Sequence, residues 1–414
     1  MPGTPLEGTP VPPDGRVPAG SLDQLASVRF GMYVHVPFCA SRCGYCDFNT
    51  YTVAELGGAA GVGYAGGASR DSFASLAVAE IALARTVLGP SAPAVSTVFF
   101  GGGTPTLLPP ADLAAILRAI EAEFGLAPGA EVTTEANPES VDERTLAELR
   151  AAGFTRISLG MQSAAPHVLS VLDRVHSPGR AEQCVAWARA AGFDHVSLDL
   201  IYGTPGERAQ DWELSVRSAI GAGPDHISAY ALIVEDGTRL AARIRRGELP
   251  PPDDDEMADR YLAADELFSA AGMRWYEVSN WATTPQAACQ HNRLYWTGGN
   301  WWGAGPGAHS HIGGTRWWNV RHPAAYAGRI AAGTSPGQAR EVLTERERRT
   351  ERIMLETRLA TGCPRGLLSP AGDQAATSAM TDGLAEPGAF ADGRVVLTRT
   401  GRLLADAVIR AVTE

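Results

Sequence analysis

The chain has 414 residues, 45% of them hydrophobic and 20% charged, the composition of a soluble protein with two or three domains and a sizeable core. Its net charge of -11 argues against nucleic acid as a partner, because phosphate backbones are gripped by clustered Lys and Arg. No apolar run reaches the roughly 18 residues that span a bilayer, and six cysteines are too sparse for a disulfide scaffold, so a cytoplasmic protein is expected. Residues 1–28 are rich in Pro and Gly and lack the basic start and apolar core of a signal peptide, which predicts a disordered tail.

From 29 to 234 short apolar runs alternate with helical patterns. Strands are predicted at 32–36, 97–100, 131–135, 156–159, 195–200 and 226–230. Helices are predicted at 72–88, 111–124, 142–151, 179–190 and 211–219, several closed by Gly. Six such units give an α/β fold, a partial TIM-like barrel. The Gly-rich stretch 57–67 has the composition of a flexible insertion. Residues 235–335 change character: a helix at 253–271, a strand at 273–278 and a Trp-, Gly- and His-rich region predict an accessory subdomain. The last segment, 336–414, carries a charged helix at 344–359, an apolar run at 395–398 and a helix at 401–412. It reads as a small winged-helix-like module without the basic excess of a DNA binder.

The run YVHVPFCASRCGYC, beginning at Tyr33, places Cys39, Cys43 and Cys46 in CxxxCxxC spacing on the loop after the first strand. Three thiolates bind a 4Fe-4S cluster and leave one iron open to a small ligand, whereas structural zinc wants a fourth Cys or His nearby. Cys184, Cys289 and Cys363 are isolated and read as core residues. The second strand runs into Gly101-Gly102-Gly103-Thr104, where missing side chains let a ligand approach the backbone. Glu135 closes the third strand, Gln162 follows the fourth and Asp199 lies at the end of the fifth, and barrel sites are built at such C-terminal strand ends. Each alone also reads as a cap or turn residue; together they point to one site.

These features resemble the radical S-adenosylmethionine (SAM) superfamily. In it the open iron chelates SAM, and electron transfer into the sulfonium yields a 5'-deoxyadenosyl radical. From Tyr33 onward, YVHVPFCASRCGYC, FFGGGTPT, SLGMQS, LDRVH and SLDLIYGTPG resemble the oxygen-independent coproporphyrinogen III oxidases. That resemblance implies that Tyr33, Gly102 and Glu135 contact cluster-bound SAM. It also implies that Tyr45, Gly103, Thr104, Gln162, Arg174, Asp199 and Ala231 stand where the oxidases hold a second SAM, with His309 near the pocket. There are two departures. Phe48 replaces the additional cysteine of the oxidases, and His291-Asn-Arg-Leu-Tyr295-Trp296 matches the HNxxYW signature of the HemW subfamily. The resemblance therefore implies heme as a further cofactor and recipient heme proteins as partners, including at a membrane surface; a homodimer is left open.

In the second motif, an imidazole with Tyr and Trp four and five positions on offers an iron ligand beside a stacking surface. Equally, His291 can be a hydrogen-bonded core residue, and His309 and His311 are rival ligands. The competing functions are porphyrinogen decarboxylation and a zinc-stabilised binding protein without redox chemistry.

Overall fold

The computed structural model describes residues 8–52, 54–56, 69–174 and 177–414; the stretch 57–67 lies outside them. Six parallel strands, β1 (Phe30–Val36), β2 (Val95–Gly102), β3 (Leu126–Ala136), β4 (Arg156–Gln162), β5 (His195–Tyr202) and β6 (His226–Ala231), lie side by side in chain order. Helices Arg70–Leu88, Pro110–Phe124, Glu143–Ala151, Arg180–Ala191 and Ala209–Gly221 connect them. The strands alternate. Val34, Val98, Phe100, Ile157, Leu198 and Ile227 are fully buried, whereas the intervening positions carry His35, Thr97, Glu131, Thr133, Glu135, Arg156, Ser158, Ser197 and Asp199. Successive side chains point to opposite faces, so the apolar set packs under the helices and the polar set lines the barrel.

The barrel sheet continues at both edges to thirteen strands. Asn300–Ala304 adds in parallel to β1, followed by antiparallel His309–Ile312, Thr315–Asn319 and Gly337–Val342. At the other edge Asn280–Ala282 pairs antiparallel with β6, and Arg274–Glu277 follows it. The strands of the accessory stretch 235–335 thus extend the barrel sheet at both edges.

The expectation of a disordered tail also gives way over residues 8–28. Thr9–Pro10 pairs with Ala339 and Arg340, Leu25 and Val17 are buried, and the Ser21 hydroxyl lies 2.7 Å from that of Thr315. Pro is tolerated there because the strand is an edge that needs no N–H on its open side.

Beyond Val342 a second core gathers Ile353, Cys363, Ala376, Val395 and Val408. It is enclosed by helices Glu345–Glu356, Pro370–Thr381 and Ala405–Thr413, with a two-residue ladder between Cys363–Pro364 and Arg394–Val395. The helix expected at 401–412 is broken: Arg399–Leu403 ends before Ala405–Thr413 starts. Arg399 and Arg402 reach Asp265 of the barrel's outer layer at 3.2 and 3.0 Å.

One buried carboxyl joins helix Arg70–Leu88 to the added strands. Glu80 accepts from Gly305 N (2.8 Å), Asn319 Nδ2 (2.7 Å) and Tyr326 Oη (2.6 Å), and burial pushes its pKa up to about 7. Glu80→Ala removes the acceptor of Gly305 N and leaves Asn319 Nδ2 and Tyr326 Oη only their bonds to Gly305 O (2.9 Å) and Leu76 O (3.4 Å). It is expected to cost about 2 kcal/mol, read as a lower urea midpoint at unchanged slope.

Candidate active site

A cavity of about 550 Å³ opens at the C-terminal ends of β1–β6. Cys39, Cys43, Cys46, Tyr45, Gly102, Gly103, Thr104, Glu135, Gln162, Arg174, Asp199 and Ala231 all line it. Tyr33 and His309 do not border it. The Tyr33 hydroxyl is 3.0 Å from His35 Nδ1, and burial, with the Glu135 charge near it, holds its pKa well above the usual phenol range. His309 is exposed on the added strands, its ring stacked on Trp318.

The cysteine loop is held from several sides. Phe38–Cys39 pairs in parallel with Tyr51–Thr52, Gly44 N donates to Leu172 O at 3.0 Å, and Asn49 Nδ2 donates to Pro306 O and Arg321 O, both at 2.9 Å. Gly103 N donates to Val36 O, an approach that needs glycine: a Cβ there would lie 2.4 Å from Phe38 O. Arg174 donates to Cys43 Sγ at 3.4 Å and to Gly160 O at 3.1 Å, placing a guanidinium against a thiol that ligation makes anionic. Gly160 leaves it the space, since a Cβ would meet Arg174 Nη2 at 2.8 Å.

Burial, and then the nearby Cys46 charge, push the Cys39 thiol up to about 11, against hydrogen bonds from Thr50 and Thr104. Burial likewise raises Cys46. Two neighbouring thiols that resist ionising, with a third beside them, call for a cationic centre to compensate them. Among the described residues no three His, Cys, Asp or Glu side chains are gathered for a single ion; a 4Fe-4S cluster, whose thiolates bind separate irons, does not require it. The donor set fits the cluster: Cys39, Cys43 and Cys46 would hold it, with Arg174 against one sulfur.

Next to the thiols the wall is carboxylic. Glu135 Oε2 accepts from Gly102 N at 3.1 Å, and burial plus the Asp199 charge push Glu135 up to about 8. Ser158 donates to Asp199 Oδ2 at 3.0 Å, and burial raises the Asp199 pKa as well. Gln162 sits at φ 65, beside a register shift in the β4–β5 ladder. Such left-handed backbone on a non-glycine residue persists where the surroundings impose it, often at ligand sites.

The second motif lies away from the thiols. His291 is 1% exposed on helix Gln290–Trp296, which packs among the N-terminal halves of the barrel strands. Its Nδ1 is 2.9 Å from Thr97 Oγ1, its Nε2 is 2.8 Å from Tyr295 Oη, and its ring stacks on Phe99. Burial drives its pKa down to about 3, so the ring is neutral with both nitrogens engaged. Trp296 is half-buried beside Glu277. The expected ligand trio is thus a plug in the barrel, and neither His291 nitrogen is free for iron in this arrangement.

Several lining residues escaped the sequence reading: Thr133, Arg156, Ser158, Ser197, His226 and Ser228. The signal was present as polar residues at every second position of β3–β6, the inward side of each strand.

A partial βα barrel with three thiols on its first loop and a glycine turn on its second defines the class, a radical SAM protein, and the Radical SAM superfamily profile matches residues 33–219. Proteins of this superfamily carry a 4Fe-4S cluster and bind SAM. Over 383 residues the sequence is 54% identical to the heme chaperone HemW of Mycobacterium tuberculosis, covering 92% of this chain and 94% of that one. It is 31% identical over 389 residues to the heme chaperone HemW of Bacillus subtilis, covering 92% and 98%. The chain belongs to the HemW family. The solved structure of coproporphyrinogen III oxidase (HemN) from Escherichia coli superposes with a TM-score of 0.79 at 20% identity, over 95% of this chain and 92% of that one, a likeness of fold. Among the described residues no helix is long and apolar enough to cross a membrane.

Proposed function

We propose that this chain is a heme chaperone, one that binds heme and passes it to heme proteins while carrying a 4Fe-4S cluster on Cys39, Cys43 and Cys46 and SAM beside it. The observation that carries the reading is 54% identity across 92% of the chain to a protein named for that role. When bound, the cluster supplies an electron to the SAM sulfonium. The chain's own residues do the positioning. Gly102 and Gly103 carry no side chain, so a ligand can approach the backbone closely there, and Glu135 and Asp199, both with pKa raised by burial, offer hydrogen bonds to ribose hydroxyls. The helix bearing His291 closes the barrel below them against water.

The rival reading is porphyrinogen decarboxylation, favoured by the fold likeness to HemN and opposed by Phe48 in place of the additional cysteine. Protein reconstituted without oxygen is expected to develop a Soret band on hemin titration and to leave coproporphyrinogen III unconverted. Vinyl-porphyrinogen product at appreciable rate, with no saturable hemin binding, would replace the chaperone by the oxidase.

A further inference from the structure

Large apolar side chains left in water tend to mark binding surfaces when they gather in one place. Among the described residues Phe48 is 62% exposed, Ile233 67% and Tyr230 42%, and all three line the thiol cavity. They come from opposite ends of the strand arc. Phe48 follows Cys46 on the loop after β1; Tyr230 ends β6 and Ile233 follows it. The two segments adjoin, since Leu240 N donates to Gly44 O at 2.9 Å and Arg239 Nη2 donates to Arg42 O at 2.6 Å.

The same junction carries cations. The Arg239 side chain is 65% exposed, with Asp173 at 3.5 Å. Arg42 also borders the cavity; its Nη1 lies 3.3 Å from Glu55 Oε1, its Nη2 donates to Thr50 O, and its Nε, buried, has no hydrogen-bond partner. Both arginines are thus ion-paired, and Asp47 and Glu235 line the cavity too, so an incoming anion meets a cation only at Arg42 and Arg239, beside Glu55 and Asp173.

We infer that heme sits on the cavity rim here, its macrocycle against Phe48 and Ile233 and its propionates toward Arg42 and Arg239. The inference rests on the chaperone reading above and adds the seat. Three observations select heme as the occupant. An apolar plate flanked by cations complements a flat ring bearing two carboxylates. The interior below the rim, on the proposed reading, is taken by SAM. The alternative, His291, is sealed in the barrel with both nitrogens engaged, and cargo meant for transfer needs a face that a recipient can reach.

The test is a hemin titration followed at the Soret band, on protein with its cluster reconstituted. Phe48→Asp and Ile233→Asp are each expected to weaken hemin binding about tenfold or more, because a charge replaces apolar contact area. Cluster iron content and SAM binding should match the parent, and Phe48→Leu should stay near it. Arg239→Gln should weaken binding a few-fold, with the loss shrinking at high salt. If the parent itself binds no hemin, the chaperone reading falls. If the parent binds and both Asp variants bind equally well, the chaperone reading stands and the rim seat falls. A loss confined to His291→Gln or His309→Ala, or one that tracks loss of cluster iron, likewise overturns the rim.

Discussion

Cys39→Ala, Cys43→Ala and Cys46→Ala are each expected to abolish the iron–sulfur absorbance and the bound iron. Two thiolates are too few to retain a cluster that three hold, and no other thiol can substitute. Cys184 is buried against Pro138 O at 3.5 Å, Cys363 lies in the C-terminal core, and Cys289 faces Glu131 Oε1 at 3.6 Å, low in the barrel. The fold should survive, since the three cysteines are only half-buried and Asn49 and Gly44 pin their loop independently. Far-ultraviolet circular dichroism near that of the parent, with iron and sulfide at background, is the expected pair of results. Cys363→Ala serves as control and should keep full iron. Retention of full iron in any one loop variant would show that the three thiols are not the ligand set.

What the sequence made legible was whatever is local or periodic. The CxxxCxxC loop falls within eight positions, and the strand predicted at 32–36 is observed as Phe30–Val36 because its apolar alternation is strong. Glu135 and Gln162 were visible because each stands at or near the end of such a run, whereas Asp199, expected at a strand end, lies three residues inside the end of β5; all three line one cavity. The His291 motif shows the limit. Its helical spacing correctly brings His291 and Tyr295 together on one face, at 2.8 Å. What that face meets is Thr97, 194 positions away, and no local pattern announces it. Of the added strands, the one predicted at 273–278 is observed as Arg274–Glu277, and the others escaped for the same reason. The parallel pairing of Asn300–Ala304 with β1 brings together segments that begin 270 positions apart, and a Pro-rich start reads as disorder until Gly337–Val342 offers it a partner. Phe48 was legible as a departure from the oxidase pattern, but its place on the cavity that Ile233 also lines needed the fold.

The largest expected effect on stability lies beneath the cavity. Arg156 is 1% and Glu131 6% exposed, and they form an ion pair of 2.9 Å. Arg156 Nη1 also donates to Ser197 Oγ at 2.9 Å and Nη2 to Ala287 O, while Glu131 Oε1 accepts from His291 N at 3.1 Å. One pair thus ties β3, β4 and β5 to the segment that carries the His291 helix. Arg156→Met removes the cation and strands a carboxylate in the barrel, at an expected cost of about 3–5 kcal/mol. Much of that cost is the uncompensated charge, so Arg156→Met combined with Glu131→Gln should recover part of it, and the double variant should lie well above the sum of the two single losses. Urea unfolding of the three variants at constant slope measures this. Because Arg156, Ser197 and His226 floor the cavity whose upper wall carries Glu135 and Asp199, the single variant should also bind SAM more weakly while keeping its cluster, whose thiols lie on the loop above. A loss below about 1 kcal/mol for Arg156→Met, or a double variant equal to the sum, would mean that the pair behaves as a solvated contact and does not hold the barrel floor.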